Sequence, residues 1–126
     1  MSDNQHFSGT VDHLADTETV HICTVREDGS EAVTPIWSVV VDGVPYIRNG
    51  YGASSKWASR VARTGRATFA AGETRLPVSL TPLGDDEPLN QRIDDAYRQK
   101  YAGHGFALDM AVDGPGRRAT LRVGPA

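Results

Sequence analysis

The chain has 126 residues, 39% of them hydrophobic and 23% charged, a length and balance that fit one globular domain with one core and exclude a disordered, collagenous or coiled-coil chain. With 16 acidic residues against 13 Lys and Arg, the formal net charge is -3, so no basic surplus exists to release counterions from a nucleic acid. Cys23 is the one cysteine, which excludes an intrachain disulfide, an all-cysteine zinc site and an iron-sulfur cluster, and fits a reducing cytoplasm.

Residues 1–10 are polar and show no period, so they read as a flexible tail with Phe7 as its one docking residue, and residues 11–126 as the domain. Neither a leader of basic then apolar residues nor a run of about 18 apolar residues is present, so no export signal and no membrane span are expected. From Thr19 the pattern alternates, with Val20, Ile22 and Thr24 on one side and His21, Cys23 and Val25 on the other, up to an Asp28-Gly29 turn. A second strand runs from Glu31 to Val41, Asp42-Gly43 turns the chain again, and Val44 to Arg48 forms a third. Two Asp-Gly turns between strand-like runs predict a three-stranded antiparallel meander.

Ser54 to Arg63 reads as a short helix with Gly65 just past its end and Trp57 and Val61 as its buried stripe. Arg66 to Ala71 and Thr74 to Thr81 form a hairpin, and Pro77 places the second strand at an edge or a bulge. A second helix starts at Asp85 to Pro88, where carboxylates suit the dipole and proline's missing N–H costs nothing; Leu89, Ile93, Ala96 and Tyr97 form its apolar face. A Gly114-Pro115-Gly116 turn then leads into a last strand through Ala119, Leu121 and Val123. The order β-β-β-α-β-β-α-β leaves no room for the crossovers that a doubly wound parallel sheet needs. It predicts a mainly β, α+β domain: a six-stranded antiparallel barrel with two short helices at its rim and ends.

The richest stretch for chemistry is Thr34 to Lys56. Gly50 and Gly52 permit close backbone approach, Ser54 and Ser55 offer donors at a helix N-terminus, and Arg48 and Lys56 add positive charge. Together these make an anion site, suited to a phosphate; the same residues also fit an ordinary turn and cap. The four histidines, at 6, 13, 21 and 104, lack metal-ligand spacing, and no metal site is expected. Cys23 has no basic neighbour on its side of the strand, so it reads as a buried structural thiol.

Thr24 to Gly29, Thr34-Pro35-Ile36-Trp37, Tyr46-Ile47-Arg48 and Ser55-Lys56-Trp57 follow one another as in the split-barrel flavoprotein superfamily. The chain resembles this superfamily, which includes pyridoxamine 5'-phosphate oxidase and the deazaflavin-dependent nitroreductases. With Ile93 to Tyr101 and Ala119 to Arg122 added, it is more closely similar, over residues 17–124, to a small bacterial family of uncharacterised proteins within that superfamily. The resemblance implies a homodimer with two equivalent clefts at the subunit interface, and an FMN or deazaflavin (F420-type) cofactor. Thr34, Pro35, Ile36 and Trp37 would lie along the ring, while Arg48, Ser54, Ser55 and Lys56 would hold the phosphate. At the start of the second strand, where relatives usually carry a basic residue, this chain has Glu31 and Ala32; a carboxylate there opposes phosphate unless it is paired or turned away.

The function implied is a cytoplasmic oxidoreductase acting on a small organic molecule, with the chemistry supplied by the ring and Trp37 and Tyr51 walling the substrate space. Two other readings stay open. One is a cofactor-free enzyme that dehydrates, isomerises or cyclises a small metabolite, with His21, His104, Tyr51 and Glu31 as its acid-base groups. The other is a non-catalytic small-molecule binder.

Overall fold

The computed structural model describes residues 2–48, 56–84, 86–105, 108–109, 112 and 119–126. In chain order these form α1 (Ser2–Asp16), β1 (Val20–Val25), β2 (Glu31–Val41), β3 (Val44–Arg48), α2 (Lys56–Thr64), β4 (Arg66–Ala71), β5 (Thr74–Pro82), α3 (Glu87–Lys100) and β6 (Leu121–Pro125). The strands close into a barrel in the order β1-β2-β3-β6-β5-β4, with every pair antiparallel. The expected strands and the two expected helices are all present.

One element departs from expectation. Residues 2–16, of which 2–10 read as part of a tail, form α1. Its inward residues explain why: Phe7 packs against the core, Thr10 is buried and Leu14 is wholly enclosed. Phe7, Thr10 and Leu14 lie three and four positions apart, on one helical face. Three such contacts in a polar segment that contains Gly9 are too few to stand out as a period.

Alternation along the strands sorts side chains into the barrel or out of it. Val20 and Ile22 of β1, Ile36 of β2, Ile47 of β3, Phe69 of β4, Val78 and Leu80 of β5 and Val123 of β6 share one interior cluster, joined by Leu14 of α1 and by Trp57 and Val61 of α2. α1 reaches the barrel near Ser38, whose Oγ donates to the Leu14 carbonyl (2.8 Å). α2 meets the far end of β1, where Arg60 donates to Thr24 Oγ1 (3.3 Å) and Arg63 to the Val25 carbonyl (2.9 Å). The two helices therefore close opposite ends of the barrel. Gly65, at φ +68°, ends α2 and turns the chain into β4, a conformation that a Cβ would strain.

α3 lies outside the barrel, across β2 and β3. Ile93, Tyr97 and Tyr101 pack on the outward Val39, Val41 and Tyr46 to form a second cluster. Asp86 caps α3, its carboxylate accepting from the Leu89 N–H (3.2 Å), and Pro88 occupies the first turn.

Candidate functional site

Arg48 ends β3 facing α3, and its guanidinium is wholly enclosed there. It donates to Asp94 Oδ1 (2.5 Å), to Thr120 Oγ1 (2.9 Å), and to the carbonyl and Oδ1 of Asn90 (3.2 Å each), and it lies 5.4 Å from the centre of the Tyr97 ring. A cation so engaged anchors α3 to β3 rather than facing an exterior ligand. Sequence reasoning missed Asp94, although a signal was present. Asn90 and Asp94 stand at four-residue spacing on the stripe that also carries Ile93 and Tyr97, and all four are buried. A carboxylate on the apolar stripe of a helix calls for a buried cation.

Of the remaining predicted phosphate residues, Lys56 opens α2, while Ser54 and Ser55, like Tyr51, lie outside the described residues. On β2, Ile36 points into the core and Thr34, the ladder partner of inward Ile22, is half-buried; Pro35 and Trp37 face outward. The pairing of β2 changes partner between them. Residues 31–36 pair with β1 and residues 37–41 with β3, the latter ladder stopping at Trp37↔Arg48. Among the described residues, the edge of β2 from Glu31 to Ile36 that faces away from β1 has no partner strand. Among the described residues β2 thus keeps a free edge at this end of a barrel whose strand order is closed. This also accounts for Pro35, since a strand with one neighbour tolerates the missing N–H.

Glu31 is turned to an ion pair with Arg75 of β5 on the outer face, so its charge is compensated. Cys23 lies beneath that pair and is only 3% exposed although it points outward. Burial pushes its thiol above the ordinary value, Glu31 adds to the rise and Arg75 opposes it. The thiol therefore stays protonated at neutral pH, in agreement with a structural role. His21 is exposed on the same face, between Pro35 and Ala70 in the ladder. Among the described residues no group of three potential metal ligands comes together, and no helix is long and apolar enough to cross a membrane.

Trp37 and His104, predicted for different reasons, meet. The Trp37 ring stacks on Tyr101 with centroids 4.1 Å apart and planes at 9°, and His104 sets its edge against Trp37 at 4.9 Å and against Tyr101 at 5.9 Å. Its Nε2 lies 2.8 Å from Glu18 Oε1. Beneath this shelf the start of β1 is tied to the end of α3: Tyr101 Oη donates to the Glu18 carbonyl (2.6 Å) and accepts from the Ser38 N–H (3.1 Å). Lys100 donates to the carbonyls of Leu14 (2.8 Å) and Ser38 (2.7 Å). Burial lowers the Lys100 ammonium to about 8, against the pull of Asp16 and Glu18, and raises the Tyr101 hydroxyl to about 12.

The fold has counterparts among solved structures. A putative pyridoxamine 5'-phosphate oxidase from Listeria innocua is similar over 100% of this chain and 93% of its own, at 11% identity and a TM-score of 0.58. An F420 reductase matches over 91% of both chains at 15% identity and 0.55, and HutZ, the heme storage protein from Vibrio cholerae, over 99% and 89% at 11% and 0.66. No curated protein matches the chain. The family described as "Uncharacterized protein conserved in bacteria (DUF2255)" matches residues 10–123. With residues 10–123 matched, the protein belongs to that bacterial family, and its barrel shares the fold of the solved structures above.

Proposed function

We propose that two copies of the chain hold an FMN or F420-type deazaflavin between them and act as an oxidoreductase on a small organic molecule. The observation that carries this reading is the unpartnered edge of β2 over residues 31–36 among the described residues, at the end of the barrel where α2 meets Thr24 and Val25 of β1. Unpaired strand amides and carbonyls match the alternating donors and acceptors on the edge of such a ring, and a helix N-terminus carries the positive potential that suits a phosphate. Glu31 no longer opposes phosphate, since Arg75 compensates it. These features fit the cofactor: the α2 N-terminus, which Lys56 opens, would take the phosphate, while Arg48 anchors α3 to β3.

When bound, the ring supplies hydride transfer, and the chain's task is to orient it and exclude water. The β2 edge would orient the ring and the N-terminus of α2 would hold the phosphate end. Trp37, braced by Tyr101, is a rigid apolar wall on which a planar substrate rests. The test is titration of the purified protein with FMN and with F420, followed by fluorescence and thermal shift. Saturable binding of one of them is expected, weakened about tenfold in Lys56→Ala, the ordinary loss for one charge-assisted contact. A flat response to both overturns the reading, and a saturable heme spectrum in its place replaces it with heme binding.

A further inference from the structure

We propose that Glu18 and His104 form a proton-transfer pair on the Trp37–Tyr101 shelf, with His104 Nδ1 as the atom that exchanges a proton with a small planar acid, phenolic or enolic, resting against Trp37. The assignment of atoms follows from the geometry. A carboxylate only accepts hydrogen bonds, so Nε2, 2.8 Å from Glu18 Oε1, carries the proton. Nδ1 is then the lone-pair nitrogen, and among the described residues it has no hydrogen-bond partner. The imidazole is 40% exposed, so a ligand can reach it.

A histidine in a solvated turn would be free to rotate, whereas this one is fixed on three sides. Glu18 holds Nε2, Trp37 and Tyr101 flank the ring, and the His104 N–H donates to the Tyr101 carbonyl (3.1 Å). Glu18 is pinned in turn, because Tyr101 Oη holds its carbonyl. An exposed ion pair contributes little to stability, so fold maintenance does not account for so much positioning. In the step itself the ligand O–H bond breaks and its proton bonds to Nδ1. Nε2 keeps its own proton, the ligand becomes an anion, and the imidazolium charge is met by Glu18. His104 is the catalytic residue and Glu18 the positioning residue. The pair works with or without a bound cofactor and so stands apart from the proposed function.

The probe is p-nitrophenol, whose absorbance reports its own ionisation, added to the cofactor-free protein at a pH just below the free phenol's midpoint, where an ordinary imidazole is still mostly neutral. A rise in phenolate absorbance that saturates with added protein is expected, with concurrent quenching of tryptophan fluorescence. His104→Ala should abolish the rise, and Glu18→Gln should reduce it about tenfold, the effect of losing one charge-assisted hydrogen bond, while Glu18→Asp restores part of it. His104→Gln, which can still donate to Glu18, controls for folding through its melting temperature and should also give no rise. Absence of a rise with the wild-type protein, or an equal rise with His104→Gln, overturns the proposal.

Discussion

Arg48 has no solvent to fall back on, which makes the consequence of removing its partner predictable. The guanidinium is enclosed and Asp94 is its charged partner, so Asp94→Ala removes that charge from beside a buried cation and should cost about 3–5 kcal/mol in chemical denaturation. Arg48→Met combined with Asp94→Leu removes both charges and should recover most of that loss; a double variant no more stable than Asp94→Ala would show that Asn90 and Thr120 need the cation as well. Lys100 carries a different signature. Its native ammonium titrates near 8, below the ordinary 10.5, so between those values the unfolded chain binds more protons and stability rises with pH. The contribution is fully present above 10.5 and is lost as pH falls through 8. The neutral amine still has two N–H groups for the carbonyls of Leu14 and Ser38, so its contacts survive deprotonation. Melting curves from pH 8 to 10 should therefore show the wild type gaining on Lys100→Met; a constant difference would remove Lys100 as the source.

At the level of elements, what could be read from the sequence was what short-range chemistry specifies. Asp42-Gly43 is a hairpin turn because both residues take positive φ, at +51° and +78°, and that requirement is visible in the dipeptide itself. Pro77, expected to mark an edge strand or a bulge, lies in a strand paired on both sides; β5 pairs with β6 only from Val78 onward, so Pro77 itself faces β4 alone. α3 announced itself through Asp86, Pro88 and the spacing of Ile93 and Tyr97. α1 did not, because its stability comes from the barrel that it closes rather than from its own composition. The site was legible to the same limit. Residue types at the end of β3 were right for an anion, but Asp94, 46 positions away, claims Arg48, and Arg75, 44 positions from Glu31, removes the conflict expected of that carboxylate. Trp37 and His104 were each picked out singly. Their meeting, and Glu18 between β1 and the end of α3, depends on how α3 crosses β2, which no local pattern encodes.

Among the described residues one sheet face is left without a covering helix, and this bears on the assembly on which the proposed function rests. α3 covers the outward side of β2 and β3, whereas, among the described residues, the outward side of β5, β4, β1 and the first half of β2 carries no helix. Val25 and Val33 lie there, 56% and 55% exposed, and they are the exposed large hydrophobic residues among those described. They flank Cys23, with Glu31 and Arg75 paired beside them. Adjacent apolar side chains on a sheet, rimmed by an ion pair, have the make-up of a contact surface, and this one borders the unpartnered edge of β2. A twofold dimer brings each such residue to the interface twice, so one substitution acts at two places. Val25→Asp with Val33→Asp should convert a sedimenting dimer to a monomer with an unchanged far-ultraviolet spectrum. If the cofactor lies between the copies, the same variant should lose cofactor binding while its barrel, whose core neither residue enters, keeps its melting temperature to within a few degrees. A wild type that sediments as a monomer would place the working cleft within one chain, and binding that survives in a monomeric variant would do the same.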